Sequence, residues 1–428
     1  MNTIIINPSP AQWSDLVKRP AFDYASLEAI VQPILAEVKA MGDPAVKKYA
    51  AQFDKATLSE LLVSQAEMDE AAPLVSEDLK AAIQLAKKNI QLFHESQTEN
   101  SKKVITTPGV TCWRKSVAIQ KVGLYIPGGT APLFSTLLML GIPAQIAGCS
   151  QIVVCTPSNA DGKVNPVILY TAQLLGISTI VKAGGVQAIA AMAYGTETIP
   201  AVSKIFGPGN QYVTAAKQLV NREGIAIDMP AGPSELAVYA DESAIPAFVA
   251  ADLLSQAEHG PDSQVMLIAS SESIVEAIKN EVILQLQDLP RKEIATIALQ
   301  HSRLIVFHNN DEAFHFLNEY AAEHLIIASN DAEILSEKVI NAGSVFLGNY
   351  SPESAGDYAS GTNHTLPTNG YAKAYSGVSV DSFVKKITFQ QLTKEGIQNL
   401  GPSVELMAAA EGLQAHKNAV TLRLNWLG

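Results

Sequence analysis

At 428 residues with a formal net charge of −12, the chain is too long for one hydrophobic core and too acidic to follow a nucleic-acid backbone, so two or more domains are expected. Only 17% of residues are charged and 47% are hydrophobic, a balance that points to some surface being covered by a partner or a second subunit. Three cysteines without paired spacing exclude a disulfide framework or a CxxC zinc site, and no signal-like or 18-residue apolar run occurs, so a reducing, cytoplasmic setting is expected.

Residues 1–100 read as helical. Asp43 before Pro44 is the expected N-cap of one helix, and Ser76 that of EDLKAAIQLAKKNIQLF. His94 at the end of that pattern is expected to be solvated or capping, without chemistry. From Val117 the texture changes. QIVVC (151–155), STIVK (178–182) and KIF (204–206) read as buried strands, each followed by a helical pattern, which makes a βαβ repeat with a parallel sheet. Ligands of such sheets bind at the carboxyl ends of the strands. The loops there, GLYIPGGTAPLFS (123–135), KAGGVQ (182–187) and FGPGNQY (206–212), place small residues before helix N-termini, where backbone N–H groups approach a phosphate. None is a full GxGxxG, and no P-loop occurs. Tyr125 offers a surface for stacking on a base or ribose, while Gln187 and Asn210 offer neutral hydrogen bonds.

DMPAGPSELAVYAD follows, its loop ending at Ser234 and leading into a strand. In AADLLSQAEHGPDSQ (250–264), Gln256 and His259 are three apart and share a helix face, and Gly260–Pro261 end the helix. An isolated QxxH more often satisfies local backbone groups, and these two ligand atoms need distant partners to hold a metal. VMLIAS and RLIVFHN are further strands of a second α/β domain into which the first is inserted. DEAFHFLNEYAAEHL reads as one helix with Leu317, Tyr320 and His324 on a stripe. A lone histidine there is usually a core residue, but adjacent Glu323 favours an acid/base pair. NYSPESAGDYASGTNHTLPTNGYA is too long for a simple connector. Asp357 is its natural carboxylate candidate and His364 a second. Ser403 is the expected cap of a C-terminal helix. Glu411 and His416, roughly 140° apart on an ideal helix, meet one ligand only if the helix bends near Gly412, or more easily if a neighbouring subunit's tail supplies them.

Taken together and in order, GLYIPGG, FGPGNQYV, SQAEHGPDSQ, EHL and AGDYASGTNHTLPT resemble the histidinol dehydrogenase family over essentially the whole chain. The resemblance implies an α/β fold of two incomplete Rossmann-like parallel-sheet domains, one inserted in the other, with small helical terminal segments. The expected division is 1–25 as an N-terminal segment, 26–122 with 236–378 as the zinc, substrate and acid/base domain, 123–235 as the NAD-type domain, and 379–428 as a helical tail reaching a partner subunit. It implies a homodimer with shared sites that oxidises L-histidinol to L-histidine through the aldehyde, the final steps of histidine biosynthesis, with one zinc per subunit and NAD. Carried over by motif, the zinc ligands are Gln256, His259, Asp357 and His416, and these four contact substrate together with Ser234, His324 and Glu411. Tyr125, Gln187 and Asn210 sit at NAD, and Glu323 and His324 form the acid/base pair. Cys112 and Cys149, with no His or Lys beside them, are expected to pack rather than to act as nucleophiles. The rivals are a zinc hydrolase, against which the NAD-type loops argue, another NAD-dependent amino-alcohol dehydrogenase of this fold, and a non-catalytic binding protein.

Overall fold

The structure, a computed structural model, describes residues 3–20, 24–128 and 132–427. Its strands are β1 (Ile4–Ile6), β2 (Val104–Thr107), β3 (Val110–Ala118), β4 (Lys121–Tyr125), β5 (Gln151–Thr156), β6 (Thr179–Lys182), β7 (Lys204–Phe206), β8 (Ala226–Ile227), β9 (Glu235–Ala240), β10 (Gln264–Ala269), β11 (Arg303–Val306), β12 (His324–Ala328), β13 (Ser344–Leu347) and β14 (Val384–Leu392).

Two parallel sheets organise the chain, a five-stranded one ordered β6-β5-β4-β7-β8 and a six-stranded one ordered β1-β11-β10-β9-β12-β13. Counted from β4 in one and from β9 in the other, both follow the order 3-2-1-4-5 of a doubly wound sheet that lacks its last strand. The short β1 pairs with β11 at the edge of the second. In ELAVYA and QVMLIA every residue is buried, because helices cover both faces and leave no reason for alternation.

The helices 24–95 were expected with residues 236–378, yet they pack over the five-stranded sheet. Val31, Leu35 and Val38 join Ala188 and Met192 in one core, while Ile83 and Ile90 join Leu137 and Leu140 in another. The reason lies in the crossover helices. Gly185–Tyr194 and Phe134–Ala147 are apolar nearly all round, so sheet contact on one side leaves the other side to be covered. Helices Pro246–Ala257, Glu272–Leu286 and Lys292–Gln300 cover one face of the six-stranded sheet, and Asn310–Tyr320 with Trp13 covers the other.

A third sheet, antiparallel and ordered β14-β3-β2, lies outside the two-domain expectation. Its β14 pairs with β3 from Val384↔Ala118 to Leu392↔Val110 and so ties down a tail expected to be wholly helical. The tail then ends in a hairpin of helices Lys394–Ala410 and Gln414–Asn425, the first capped by Thr393 and running through Ser403. Ser76 caps its helix as expected, whereas Gly42, not Asp43, occupies the N-cap of Asp43–Tyr49. Among the described residues no helix is long and apolar enough to cross a membrane.

Candidate active site

At the carboxyl ends of the five-stranded sheet, Tyr125, Gln187 and Asn210 line one cavity of about 550 Å³. Residues 129–131 of the 123–135 loop lie outside the described residues. Tyr125 ends β4, and its hydroxyl accepts a hydrogen bond from Gly185 N (3.0 Å), so it holds the next βα turn in place. Gly185 has φ +59, a conformation that a side chain would strain. Gln187 is buried, and neither atom of its amide has a hydrogen-bond partner among the described residues. Its amide, lining the cavity, can both donate to and accept from a polar ligand. Asn210 spends its Oδ1 capping helix Gln211–Arg222, on Tyr212 N and Val213 N at 3.1 Å, which leaves its N–H donors for a ligand.

Gly209, Asn210 and Tyr212 also line a second groove, of about 570 Å³, that leads to Ser234, His259 and Gly260. This groove meets the six-stranded sheet at the amino ends of its strands, the reverse of the carboxyl-end rule that the first cavity obeys. Ser234 precedes β9, His259 precedes β10 and His324 opens β12. His324 and Glu323 therefore do not lie on the expected helix. That helix stops at Tyr320, Ala321 turns the chain with φ +53, and the β-rich run LIIA carries His324 into the sheet.

Gln256 lies in the last turn of Pro246–Ala257, and His259 sits just past its end, its N–H on the Gln256 carbonyl at 3.3 Å. His259, Glu353 and Asp357 each offer one ligand atom, all within 4.8 Å of one another. Glu353 is the residue that sequence reading missed. Its signal was the four-residue spacing to Asp357, which puts both acids on one face of helix Glu353–Tyr358. Gln256 is fully buried, and with its amide turned to suit its neighbours it donates to Glu353 Oε1 (2.5 Å) and accepts from Glu235 N (3.0 Å).

His324 stands in the middle of this group. Its Nε2 is 3.4 Å from Asp357 Oδ1, and its Nδ1 is 3.7 Å from Glu323 Oε2, 4.0 Å from Glu353 Oε1 and 3.4 Å from the Glu235 carbonyl. Glu323 Oε2 accepts from Glu235 N at 2.9 Å. His364 supports the loop and is not a member of the cluster: its Nδ1 meets the Asp357 carbonyl at 2.9 Å and its Nε2 meets Thr136 Oγ1 at 3.1 Å. His94 is not solvated. It is fully buried, bonded to the Ile90 carbonyl at 2.8 Å, and 3.3 Å from Asn363 of the same loop.

Burial pushes the Glu323 carboxyl up to about 7 and that of Glu353 to about 8. For His324 burial works downward, but the carboxylates of Glu353, Glu323 and Asp357 outweigh it and raise the imidazole to about 10. Three carboxyls crowd one ring, and protons are held where a cation would relieve them. Glu353 Oε2, Asp357 Oδ1 and His324 Nε2 are moreover buried without a hydrogen-bond partner among the described residues. A mixed oxygen and nitrogen donor set of this kind fits a divalent metal such as zinc. The chain does not bring His416 into the cluster. His416 and Glu411 are exposed on the C-terminal hairpin, which packs on β14 and β2 and turns at Gly412 (φ +72). Burial pushes the Cys149 thiol up to about 11 and that of Cys155 higher still, so neither is a ready thiolate.

Residues 17–424 match the sequence pattern of the histidinol dehydrogenase family. Histidinol dehydrogenase of Bacteroides thetaiotaomicron is 62% identical over 100% of both chains. The chloroplastic histidinol dehydrogenase of Arabidopsis thaliana is 53% identical over 97% of this chain and 90% of its own. The crystal structure of histidinol dehydrogenase from Elizabethkingia anophelis matches with a TM-score of 0.97 at 57% identity, covering 99% of this chain and 98% of the other. Similarity at this level spans both sheets, the buried cluster and the tail, and the chain belongs to the histidinol dehydrogenase family, the oxidoreductases of histidine biosynthesis.

Proposed function

We propose that the chain catalyses the zinc-dependent, NAD-linked oxidation of L-histidinol to L-histidine through L-histidinaldehyde, acting in the cytoplasm as a homodimer with shared sites. The observation that carries this reading is the continuity of the two clefts: Gly209, Asn210 and Tyr212 line both, so a dinucleotide seated at Tyr125 and Gln187 extends towards Ser234 and the imidazole and carboxylate cluster.

Gln256, His259 and Asp357 would hold the zinc from this chain, with His416 arriving from a second copy. Zinc, when bound, supplies a positive charge that fixes the substrate's amine and imidazole nitrogens. His324 has the geometry of a base. The carboxylates that raise the ring to about 10 would be offset by a cation held between them. With one proton on Nδ1 directed to the Glu235 carbonyl at 3.4 Å, Nε2 would then be free to take the substrate's hydroxyl proton, and NAD, when bound, would supply the hydride acceptor. Glu323, its carboxyl near neutrality through burial, is suited to take a proton from the water that adds to the aldehyde before the second hydride leaves. Ser234 would contact substrate at the mouth of the groove, and Glu411 would arrive with His416 from the second copy. A second assignment of the fourth ligand, Glu353 in place of His416, is favoured by the 4.8 Å grouping within a single chain.

The direct test follows reduced-nicotinamide absorbance with histidinol and NAD supplied together. Two NADH per histidinol consumed is expected. One equivalent excludes the four-electron course, and none, with hydrolysis of an amide or ester analogue instead, points to the hydrolase.

A further inference from the structure

The first cavity contains an acid that the chemistry above does not use. Asp54 closes the wide helical turn Ala50–Asp54, after which Lys55 reverses the chain at φ +59, so the carboxylate enters from the outer helical layer and not from the sheet. The Gly184 backbone hydrogen-bonds this carboxylate, and a Cβ at Gly184 would come within 3.4 Å of Asp54 Oδ1. Asp54 Oδ2 is buried and has no hydrogen-bond partner among the described residues, as is true of both amide atoms of Gln187 in the same cavity. Phe53, Ile30 and Ile34 line it as well, while Asn210 and Tyr212 connect it to the groove of Ser234 and His259. No Lys or Arg is among the described residues that line it.

An ionised carboxylate accepts and cannot donate, so its vacant oxygen calls for a donor, and an unpaired amide beside it accommodates either kind of partner. The vicinal diol of a ribose supplies two such donors without charge. A phosphate on that sugar would instead set a dianion against the acid with no cation to offset it. The reacting end of a dinucleotide must face the groove of Ser234 and His259, which leaves its adenosine end beside the apolar side chains that flank Asp54. The geometry assigns Asp54 to the ribose hydroxyls at the adenosine end of the bound dinucleotide, where it selects against a 2′-phosphate; this rests on the NAD reading above. Burial raises the carboxyl only to about 6, which keeps it ionised near pH 8.

The test compares binding of ADP-ribose and 2′-phospho-ADP-ribose to the full chain by calorimetry, in wild type, Asp54→Asn and Asp54→Ser, with near-ultraviolet dichroism to check folding. Wild type should prefer ADP-ribose. Loss of a charge-assisted hydrogen bond should weaken ADP-ribose binding by about 10- to 100-fold in the variants and narrow the preference by at least as much. If wild type binds neither nucleotide, the dinucleotide reading itself fails. If wild type binds ADP-ribose while a folded variant keeps both affinity and preference within about twofold, the role of Asp54 fails alone. Should both variants misfold, wild type decides: a 2′-deoxy analogue bound as tightly as ADP-ribose overturns the assignment, and one bound about tenfold more weakly supports it.

Discussion

If the tail of one subunit completes the site of the other, two inactive variants should rescue each other. His324 is buried at the head of β12, whereas His416 is exposed on the hairpin of the same chain. The hairpin also leaves Leu406 at 74% and Trp426 at 89% exposure, apolar surface that a second copy would cover. Mix His324→Ala chains with His416→Ala chains, dissociate and reassociate them. In a mixed dimer one site carries both lesions and the other carries neither, because its His324 and the arriving His416 come from opposite parents. Random pairing makes half the dimers mixed, so about a quarter of all sites should recover. The assay is NADH production per subunit after mass-tagged confirmation of exchange, with each variant alone as the blank. No recovery after verified exchange refutes the sharing. Full activity and metal content in His416→Ala alone would refute it as well, and would make Glu353 the ligand.

Asp357→Asn should release metal to a chelator more than about 100-fold faster than wild type, since even the partners of ligands contribute 10- to 100-fold to affinity; stoichiometric metal retained after dialysis would remove Asp357 from the set. His324→Ala should slow histidinol oxidation by about 10²- to 10⁴-fold, while Glu323→Gln should still release close to one NADH per site in a single-turnover burst and then stall at the aldehyde. Equal loss of both steps in the two variants contradicts the division of labour. Burial pushes Asp252 up to about 7. Its folded pKa thus exceeds its unfolded one, and the stability that its protonated form contributes is lost as pH rises from about 4 to 7. Asp252→Asn should therefore stabilise the metal-free chain by an amount that grows from pH 5 to pH 8, with an upper bound of about 4 kcal/mol. A urea midpoint shift that is flat or falls with pH counts against this.

Much of the site was legible in the sequence because it is written in local signals. Gln256 and His259 are one helical turn apart, and turns at the carboxyl ends of one parallel sheet open on the same edge, where Tyr125, Gln187 and Asn210 line one cavity although β5 separates β6 from β4. Composition and strand texture were likewise enough for an α/β chain with two parallel sheets. What periodicity could not decide was where one period gives way to another. EYAAEHL continues a helical stripe on paper, and only the pairing of His324 with Leu236 and Ser344 in the sheet makes it a strand. Nor does local spacing carry contacts between elements far apart in sequence. Glu353 acquires its surroundings from Gln256 and His324, Asp54 from the turn at Gly184, His94 from the Asn363 loop, and β14 its partner from β3. The energy that fixes those contacts is long-range burial, which a sequence window does not contain. The sequence thus determined the chemistry available to this chain, and the tertiary structure decided which of those groups meet.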